Sequence, residues 1–466
     1  MAASAQDAQY ERMVGAPVPA LVVRLAIPSI ITMIISSVYN MADTFFVSKL
    51  GTSAAGAVGV VFSLMSIIQA VGFTLGMGSG SLVSRQLGAR DQRAADTTAS
   101  VGFFFALGIG ACLTLFGTLF RTQLVRFLGA TDTMLAQAEE YAAYILYAAP
   151  LMCATFQMNN ILRSEGKAAL GSFAVTTGGV LNMLLDPLLI FFFHMGITGA
   201  ALATALSQCV SFSIMLSMYL SGRSAIRLSL RLVPRGLPVL LKIVTVGSPS
   251  LCRQGLASLA SVFLNRSVRI YGDSAMAAMT IISRVTHFQG SVMRGLGQGC
   301  QPVTGFNFGA KRFDRVYAAN RFTVAASTLF MVGVSAAIFL WAPEIMGLFR
   351  RGDAEVIRIG TFALRASCAA APLSALVTTT NMTLQSTGKS APAIFLASCR
   401  QGIFFLPLIC LLPLRFGLRG AQIAQPLADL LTFLVTLPFY LRFCRQMQRL
   451  HQAGQADGAT PDTCTP

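Results

Sequence analysis

The chain has 466 residues, of which 54% are apolar and only 11% charged, and its mean hydropathy is +0.66. A soluble domain carries about a quarter charged residues, so this composition excludes a soluble globular protein and marks a polytopic membrane protein. The net charge of +17 would suit a nucleic-acid partner, but its distribution along the chain argues against one.

Residues 1–20 are polar and mixed, without the basic-then-apolar layout of a cleaved signal; they are expected to be a cytoplasmic N-terminal segment. Apolar stretches long enough to cross a bilayer follow, centred near residues 34, 64, 109, 147, 182 and 209. A basic linker over 222–242 comes next, with Arg223, Arg227, Arg231, Arg235 and Lys242. Six more spans centre near 253, 282, 331, 369, 402 and 431, and residues 446–466 read as a disordered cytoplasmic tail. The spans near 64 and 282 have the least distinct ends. With both termini cytoplasmic, Lys and Arg number 20 in cytoplasmic segments and 10 in external loops. That bias follows the positive-inside rule. The 10 cysteines lie scattered through apolar runs with no C-x-x-C pair and read as packing residues. His194, His287 and His451 share no spacing. No disulfide framework or His/Cys metal site is expected.

The chain repeats itself. GTSAAGAVGV from Gly51 aligns with GDSAMAAMTI from Gly272, and GMGSG from Gly76 with GLGQG from Gly295. LGAR at Leu87 aligns with FGAK at Phe308, RSEGKAA from Arg163 with QSTGKSA from Gln385, and MGITGAALA from Met195 with FGLRGAQIA from Phe416. Pro28, Pro150 and Pro187 pair with Pro249, Pro372 and Pro407, all at offsets of 219 to 222. Two homologous six-helix bundles are expected, over 21–221 and 243–445. Six is even, so the repeats are parallel, and such proteins bind substrate between halves.

In LNMLLDPLLI, Leu181 to Ile190, Asp186 stands in a run where water is scarce and its charged form is costly. Pro187 offers no N–H and frees a backbone carbonyl one turn back. Asn182 lies four residues before Asp186, on the same helix face. VYNMADTFFVSKLG (Val38 to Gly51), RSEGK (Arg163 to Lys167), LNMLLDPLLIF (Leu181 to Phe191) and MGITGAALAT (Met195 to Thr204) together resemble the multidrug and toxin extrusion (MATE) family, in its MepA/DinF-like branch. The resemblance covers about residues 20 to 445. It implies an all-α polytopic membrane protein with 12 transmembrane helices in two six-helix bundles around a V-shaped central cavity. It implies cation-coupled export of bulky, often cationic and aromatic compounds, with a cation site at Asp43, Asn182, Asp186 and Thr204.

The residues agree with that assignment. Tyr39 and Asn40 lie one turn before Asp43. By the offset of 221, Asp43 maps to Leu264, and Asp186 falls in FFLPL, which has no acid; the acid pair belongs to one half only. Two carboxylates in a low-dielectric pocket take a proton or share a cation. The oxygens of Asn182, Thr204 and the freed carbonyl suit Na+, and the carboxylates alone suit H+, so both coupling ions stay open. Arg253, Arg400 and Asp429 lie within spans, where an Arg400–Asp429 ion pair is the structural reading and a substrate role the functional one. Glu165, at a cytoplasmic helix end between Arg163 and Lys167, suits local pairing or gating. The GxGxG strings lack a preceding strand and a phosphate loop. Transport is therefore expected to be secondary, with no cofactor, no enzymatic activity and no nucleic-acid partner. The expected setting is a monomer in the bacterial plasma (inner) membrane, acting on small molecules. The alternative function is a flippase for a lipid-linked or anionic substrate, for which Arg253, Arg365 and Arg400 could hold phosphate.

Overall fold

The computed structural model describes residues 2–349 and 353–457, which are helical throughout, with no strand among them. Twelve helices have membrane-crossing length. In the first half they are α1 (Val18–Ser48), α2 (Thr52–Gly88), α3 (Gln92–Leu119), α4 (Leu135–Ser164), α5 (Ala168–Phe192) and α6 (Gly196–Leu220). In the second half they are α7 (Gly236–Arg269), α8 (Asp273–Gly309), α9 (Phe313–Leu340), α10 (Ala354–Ser386), α11 (Ser390–Phe416) and α12 (Leu418–Asp457). Nine of them, among the described residues, are also apolar enough to cross a membrane by composition. The other three, α4, α7 and α8, carry buried polar groups instead: Gln157 and Asn160 in α4, Ser250 in α7, and Gln289, Gln298 and Gln301 in α8.

The repeat is visible in the backbone. Left-handed φ angles recur at matched positions: Gly51 and Gly272 (115° and 91°), Arg90 and Lys311 (59° and 56°), Gly166 and Gly388 (81° and 82°), Gly196 and Gly417 (57° and 57°). Arg90 and Lys311 close the same tight turn without glycine. Two of the long helices also widen into π turns, at Leu188–Phe192 in α5 and Cys399–Phe405 in α11. The first follows Pro187, whose missing N–H breaks the α-helical ladder. The second precedes Pro407.

The compact units do not begin and end where the repeat does. The N-terminal unit comprises residues 25–86 and 91–251; the C-terminal unit takes residues up to 24, 87–90 and from 252 onward. The linker therefore folds with the first unit. The initial segment forms a helix, Ala2–Gly15, that joins the second. Asn307 donates to the Met13 carbonyl at 3.1 Å and Arg315 to the Ala16 carbonyl at 2.5 Å, which satisfies the end of that helix. The expectation of a disordered tail from 446 needs correction: α12 continues to Asp457 because Met447 is buried against Phe443 and Leu396, which gives the extra turns an apolar seat. Residues 458–466 lie outside the described residues.

Each unit has its own core. Leu64, Ile68, Tyr141, Ile145 and Met152 centre the first; Ile282, Leu364, Phe405 and Ile409 centre the second. Small residues set how close the helices come. A Cβ on Gly78 of α2 would lie 2.0 Å from the Ile243 carbonyl oxygen, and one on Gly247 of α7 would lie 2.0 Å from the Thr74 carbonyl oxygen. The two helices thus cross backbone to backbone through reciprocal glycines, the arrangement small residues permit in membranes. Between α3 and α4, a Cβ on Gly110 would sit 2.4 Å from the Pro150 Cα. Backbone cannot swing aside as a flexible side chain can, so Gly110→Val must push the helices apart. We expect a loss of about 1–3 kcal/mol, measured as a lower thermal midpoint of the purified protein in detergent. An unchanged midpoint would show that this crossing is not tight.

Candidate functional site

The N-terminal unit gathers its polar groups where α5 packs closely on two neighbours. A Cβ on Gly178 would lie 1.9 Å from the Ser211 hydroxyl of α6, and one on Gly179 would lie 3.1 Å from the Tyr39 ring of α1. The two adjacent glycines therefore draw α6 and α1 onto α5. Asn182 comes one turn later and Asp186 the turn after, on the face those glycines have opened.

Asp186 is fully buried, with Asn182 4% and Thr204 6% exposed. Asn182 Nδ2 donates to Asp186 Oδ1 at 3.4 Å and to Thr204 Oγ1 at 3.3 Å. Both bonds are long, so one amide is stretched between two acceptors. Asp186 Oδ2 and Asp43 Oδ1 are buried and accept no hydrogen bond. The two carboxyl groups are near enough to repel each other when both are charged. No ion pair among the described residues answers either of them. Of the residues the sequence nominated beside Asp43, Tyr39 stands in the field of its carboxylate. Asn40 donates to its own helix, at the Ser36 carbonyl, 2.7 Å away.

One residue of this cluster was not nominated from sequence. Tyr141 of α4 is 1% exposed, and its hydroxyl is buried without a closed hydrogen bond. It lies within electrostatic reach of Asp43, Asp186 and Tyr39 and beside Thr204. Tyr141, Tyr144 and Tyr147 follow one another along α4 at equal spacing, and Tyr147 is 60% exposed. Nothing in the sequence separates the first from the others; only its burial does. The result is a pocket of oxygens: two carboxylates, an amide, a threonine and a tyrosine hydroxyl, on four helices. Pro187 has no N–H to give to the Met183 carbonyl one turn back. Among the described residues no group of three or more His, Cys, Asp or Glu side chains is arranged to hold a metal ion. Any cation here must therefore draw on neutral oxygens as well.

The remaining nominated residues lie elsewhere. Glu165 ends α4, 24 residues from Tyr141, so about 36 Å along the helix. It is 1% exposed and accepts from the Ser224 hydroxyl at 2.6 Å and the Ala225 N–H at 2.8 Å, with Lys167 Nζ at 3.6 Å. Nearby, Asp96 accepts from the Arg227 N–H at 3.0 Å, and Ser100 accepts from the Ser229 N–H at 3.0 Å. Three alternate amides of the linker are thus held by side chains of the N-terminal unit. Burial pushes the Glu165 carboxyl above the ordinary carboxylate range, and the hydrogen bonds and Lys167 oppose that shift without cancelling it. In the C-terminal unit, Arg400 Nε and Nη2 donate to the two Asp429 oxygens at 2.7 and 3.3 Å. Arg253 donates to Asn381 Oδ1 at 3.2 Å.

Comparison with known proteins bears on the family and the fold. The MatE family model matches residues 28–188 and 249–411, once in each half. The "Multidrug export protein MepA" of Staphylococcus aureus is 25% identical over 435 residues, spanning 92% of this chain and 96% of that protein. A crystal structure of MATE in complex with MaL6 superposes with a TM-score of 0.88 at 27% identity, covering 95% of this chain and 99% of the other. A MOP superfamily transporter from Pyrococcus furiosus, described as having a reversed polarity of its binding pocket that suggests a different function, superposes at 0.87 and 27% identity, covering 94% and 98%.

The linker contacts carry a pH prediction. A carboxyl whose value is raised by docking binds its proton more readily docked than free. Docking is thus strongest at low pH and weakens as pH rises through the docked value. Hydrogen exchange at the Ala225, Arg227 and Ser229 amides, corrected for intrinsic rate, should lose protection as pH rises above the ordinary carboxyl value of 4.5, because the docked carboxyl is shifted upward from there. Glu165→Gln should flatten that dependence. Protection that rises with pH in the wild type would show the charged carboxylate to be the form that holds the linker.

Proposed function

The chain belongs to the MatE family, and we propose on that premise that it is a secondary active multidrug exporter of the bacterial plasma (inner) membrane. It moves bulky, often cationic and aromatic compounds outward in exchange for H+ or Na+, with both termini cytoplasmic. One chain holds both homologous halves and acts as a monomer.

The observation that carries this reading is the pair of half-buried Asp43 and fully buried Asp186, each with a buried oxygen that accepts no hydrogen bond. A carboxylate pair without a cation cannot remain doubly charged in a low-dielectric interior. The pair therefore has a strong demand for positive charge, which a proton or an alkali cation meets. Asn182, Thr204 and Tyr141 supply neutral oxygens that would complete a shell around Na+. They would equally hydrogen-bond a protonated carboxyl, so the donor set serves either ion. Charging or neutralising the pair changes what α1, α4, α5 and α6 gain by packing on one another. Pro28 in α1 and Pro187 in α5 interrupt the backbone ladder within two of these helices. In the proposed cycle, ion binding favours one packing of these helices and its loss the other. Drug release is coupled to that change by alternating access.

The test is dye efflux from proteoliposomes under an imposed Na+ or pH gradient. Whichever gradient drives the wild type identifies the coupling ion. Asp43→Asn and Asp186→Asn should each lower gradient-driven efflux about tenfold or more, because each removes a charge that the coupling ion balances. Tyr141→Phe should raise the ion concentration needed for half-maximal rate while leaving the maximal rate closer to wild type. If both asparagine variants transport at the wild-type rate, the pair is not the coupling site.

A further inference from the structure

Two short helices follow long ones at matched places in the repeat. Arg121–Phe127 comes after α3, and Ala342–Phe349 comes after α9. They begin 221 residues apart, at the offset that relates the two halves. Each starts at a break in the backbone. Phe120 (φ −110°, ψ 30°) and Trp341 (φ −95°, ψ 22°) leave the α-helical region, so the chain turns aside where the long helix ends. With twelve crossings, both breaks fall on the side of the membrane opposite the termini.

One face of each short helix belongs to the core of its own unit. Val125 and Met346, also 221 residues apart, are fully buried. Val125 lies in the first core with Leu124 and Leu128 against it, and Met346 lies in the second with Val356 and Ile359. A Cβ on Gly360 of α10 would come 2.0 Å from the Met346 Cε, so this seat is close. A second face is apolar and open. Phe127 is 87% exposed and Leu348 is 70% exposed. Each lies seven residues, about two turns, beyond the residue at its break, so Phe120 shares a face with Phe127 and Trp341 with Leu348. The third side is polar: Thr122 and Arg126 in the first helix and Glu344 in the second are exposed. Arg126 pairs with Asp132 at 3.0 Å, both side chains more than half exposed.

What covers the open apolar face follows from its surroundings. It continues the exposed stripe of Leu115, Phe116 and Leu119 on α3, and that of Leu329, Val332 and Leu340 on α9. A membrane-crossing helix turns such a stripe to lipid. Past the break the same lipid borders water, and that border favours aromatic rings and the apolar stems of arginines. A protein partner fits less well, because the face recurs on both units whereas a two-fold contact uses one patch. We propose that Arg121–Phe127 and Ala342–Phe349 are interfacial feet, with Phe120, Phe127, Trp341 and Leu348 seated at the headgroup boundary of the leaflet opposite the termini. Because its inner face is fixed in the core, each foot sets the depth at which its own unit rides in the bilayer. The proposal rests on the twelve crossings and is independent of the exporter reading.

Trp341 is the only tryptophan of the chain, so its emission reports the second foot. The experiment is fluorescence quenching of the full chain in phosphatidylcholine vesicles. Bromines are placed either near the headgroup end or near the methyl end of the acyl chains, and iodide is added to the water. Headgroup-end bromines should quench Trp341 about threefold more strongly than methyl-end bromines, and iodide should quench it several-fold less than it quenches free tryptophan amide. Phe127→Trp in a Trp341→Phe background should give the same pattern at the first foot. If that double variant fails to fold, Trp341 in the native chain carries the test. Iodide quenching equal to that of the free amide, with none from the lipids, would place the face in water and overturn the proposal. Stronger quenching by methyl-end bromines would place the helix within the hydrocarbon and overturn it as well. Protection from lipid and iodide alike would show a protein partner, a second copy of the chain included, and would equally sink the proposal.

Discussion

A charge placed where water cannot follow must be answered by another charge, by aligned dipoles or by a ligand. Most of what is distinctive in this chain follows from how that demand is met, or left open, at a few positions. The N-terminal unit leaves Asp43 and Asp186 each with a buried oxygen that accepts no hydrogen bond. The C-terminal unit pairs Arg400 with Asp429, whose Oδ1 also accepts from Gln425. At the helix end of Glu165 both carboxyl oxygens have partners, in two hydrogen bonds and Lys167, which offset much of the cost of burial. Fully answered charges build structure; charges left open are available for a ligand to complete. Both kinds occur in this chain, and the distinction can be read from hydrogen-bond accounting alone.

The two halves share a backbone and differ in charge. Matched left-handed residues such as Gly166 and Gly388 preserve the same helix ends. The side chains hung on that frame have diverged: Leu264 stands where the first half has Asp43, and Thr387 where it has Glu165. Lys167 and Lys389 are retained, but they do different work. Lys167 meets Glu165 and the Arg223 carbonyl, whereas Lys389 reaches Gln446 and lies over the Phe443 ring at 5.1 Å. In the first half the lysine helps fix the linker. In the second it helps hold the extra turns of α12. A duplicated fold thus offers two equivalent frames, and only the chemistry placed on them distinguishes the halves.

Much of this was legible in the sequence, for physical reasons that also mark where legibility stops. Helix number and repeat were plain because a lipid-facing helix must be long and apolar, and because turn residues recur at a fixed offset. Asp186 and Asn182 were legible because an acid in an apolar run is conspicuous and four residues make one helical step. Tyr141 was not, since tyrosine suits a helix interior, a membrane interface and a polar pocket alike. Arg294 was missed for a related reason. The eighth span had an indistinct end, so its sequence did not place Arg294 within it, whereas α8 continues to Gly309. The glycines that bring α5 onto α1 and α6 look like any other small residues in a membrane helix. Their role depends on what faces them, and periodicity does not report that.

The π turns tie these strands together. An α-helix that widens for one turn displaces the register of every side chain beyond it. In α5 the widening comes after Asp186, so Asn182 and Asp186 keep the spacing that places both on the pocket face. In α11 it comes at Arg400 itself, before the equivalent proline. Measured from the paired prolines, the second widening starts about two and a half turns earlier than the first. The acid in the first half and the arginine in the second therefore occupy corresponding helices without occupying corresponding positions. Such a displacement lets one duplicated helix hold opposite charges at two depths. A simple substitution of aspartate by arginine at a fixed site would have had to fit the new side chain into the old pocket.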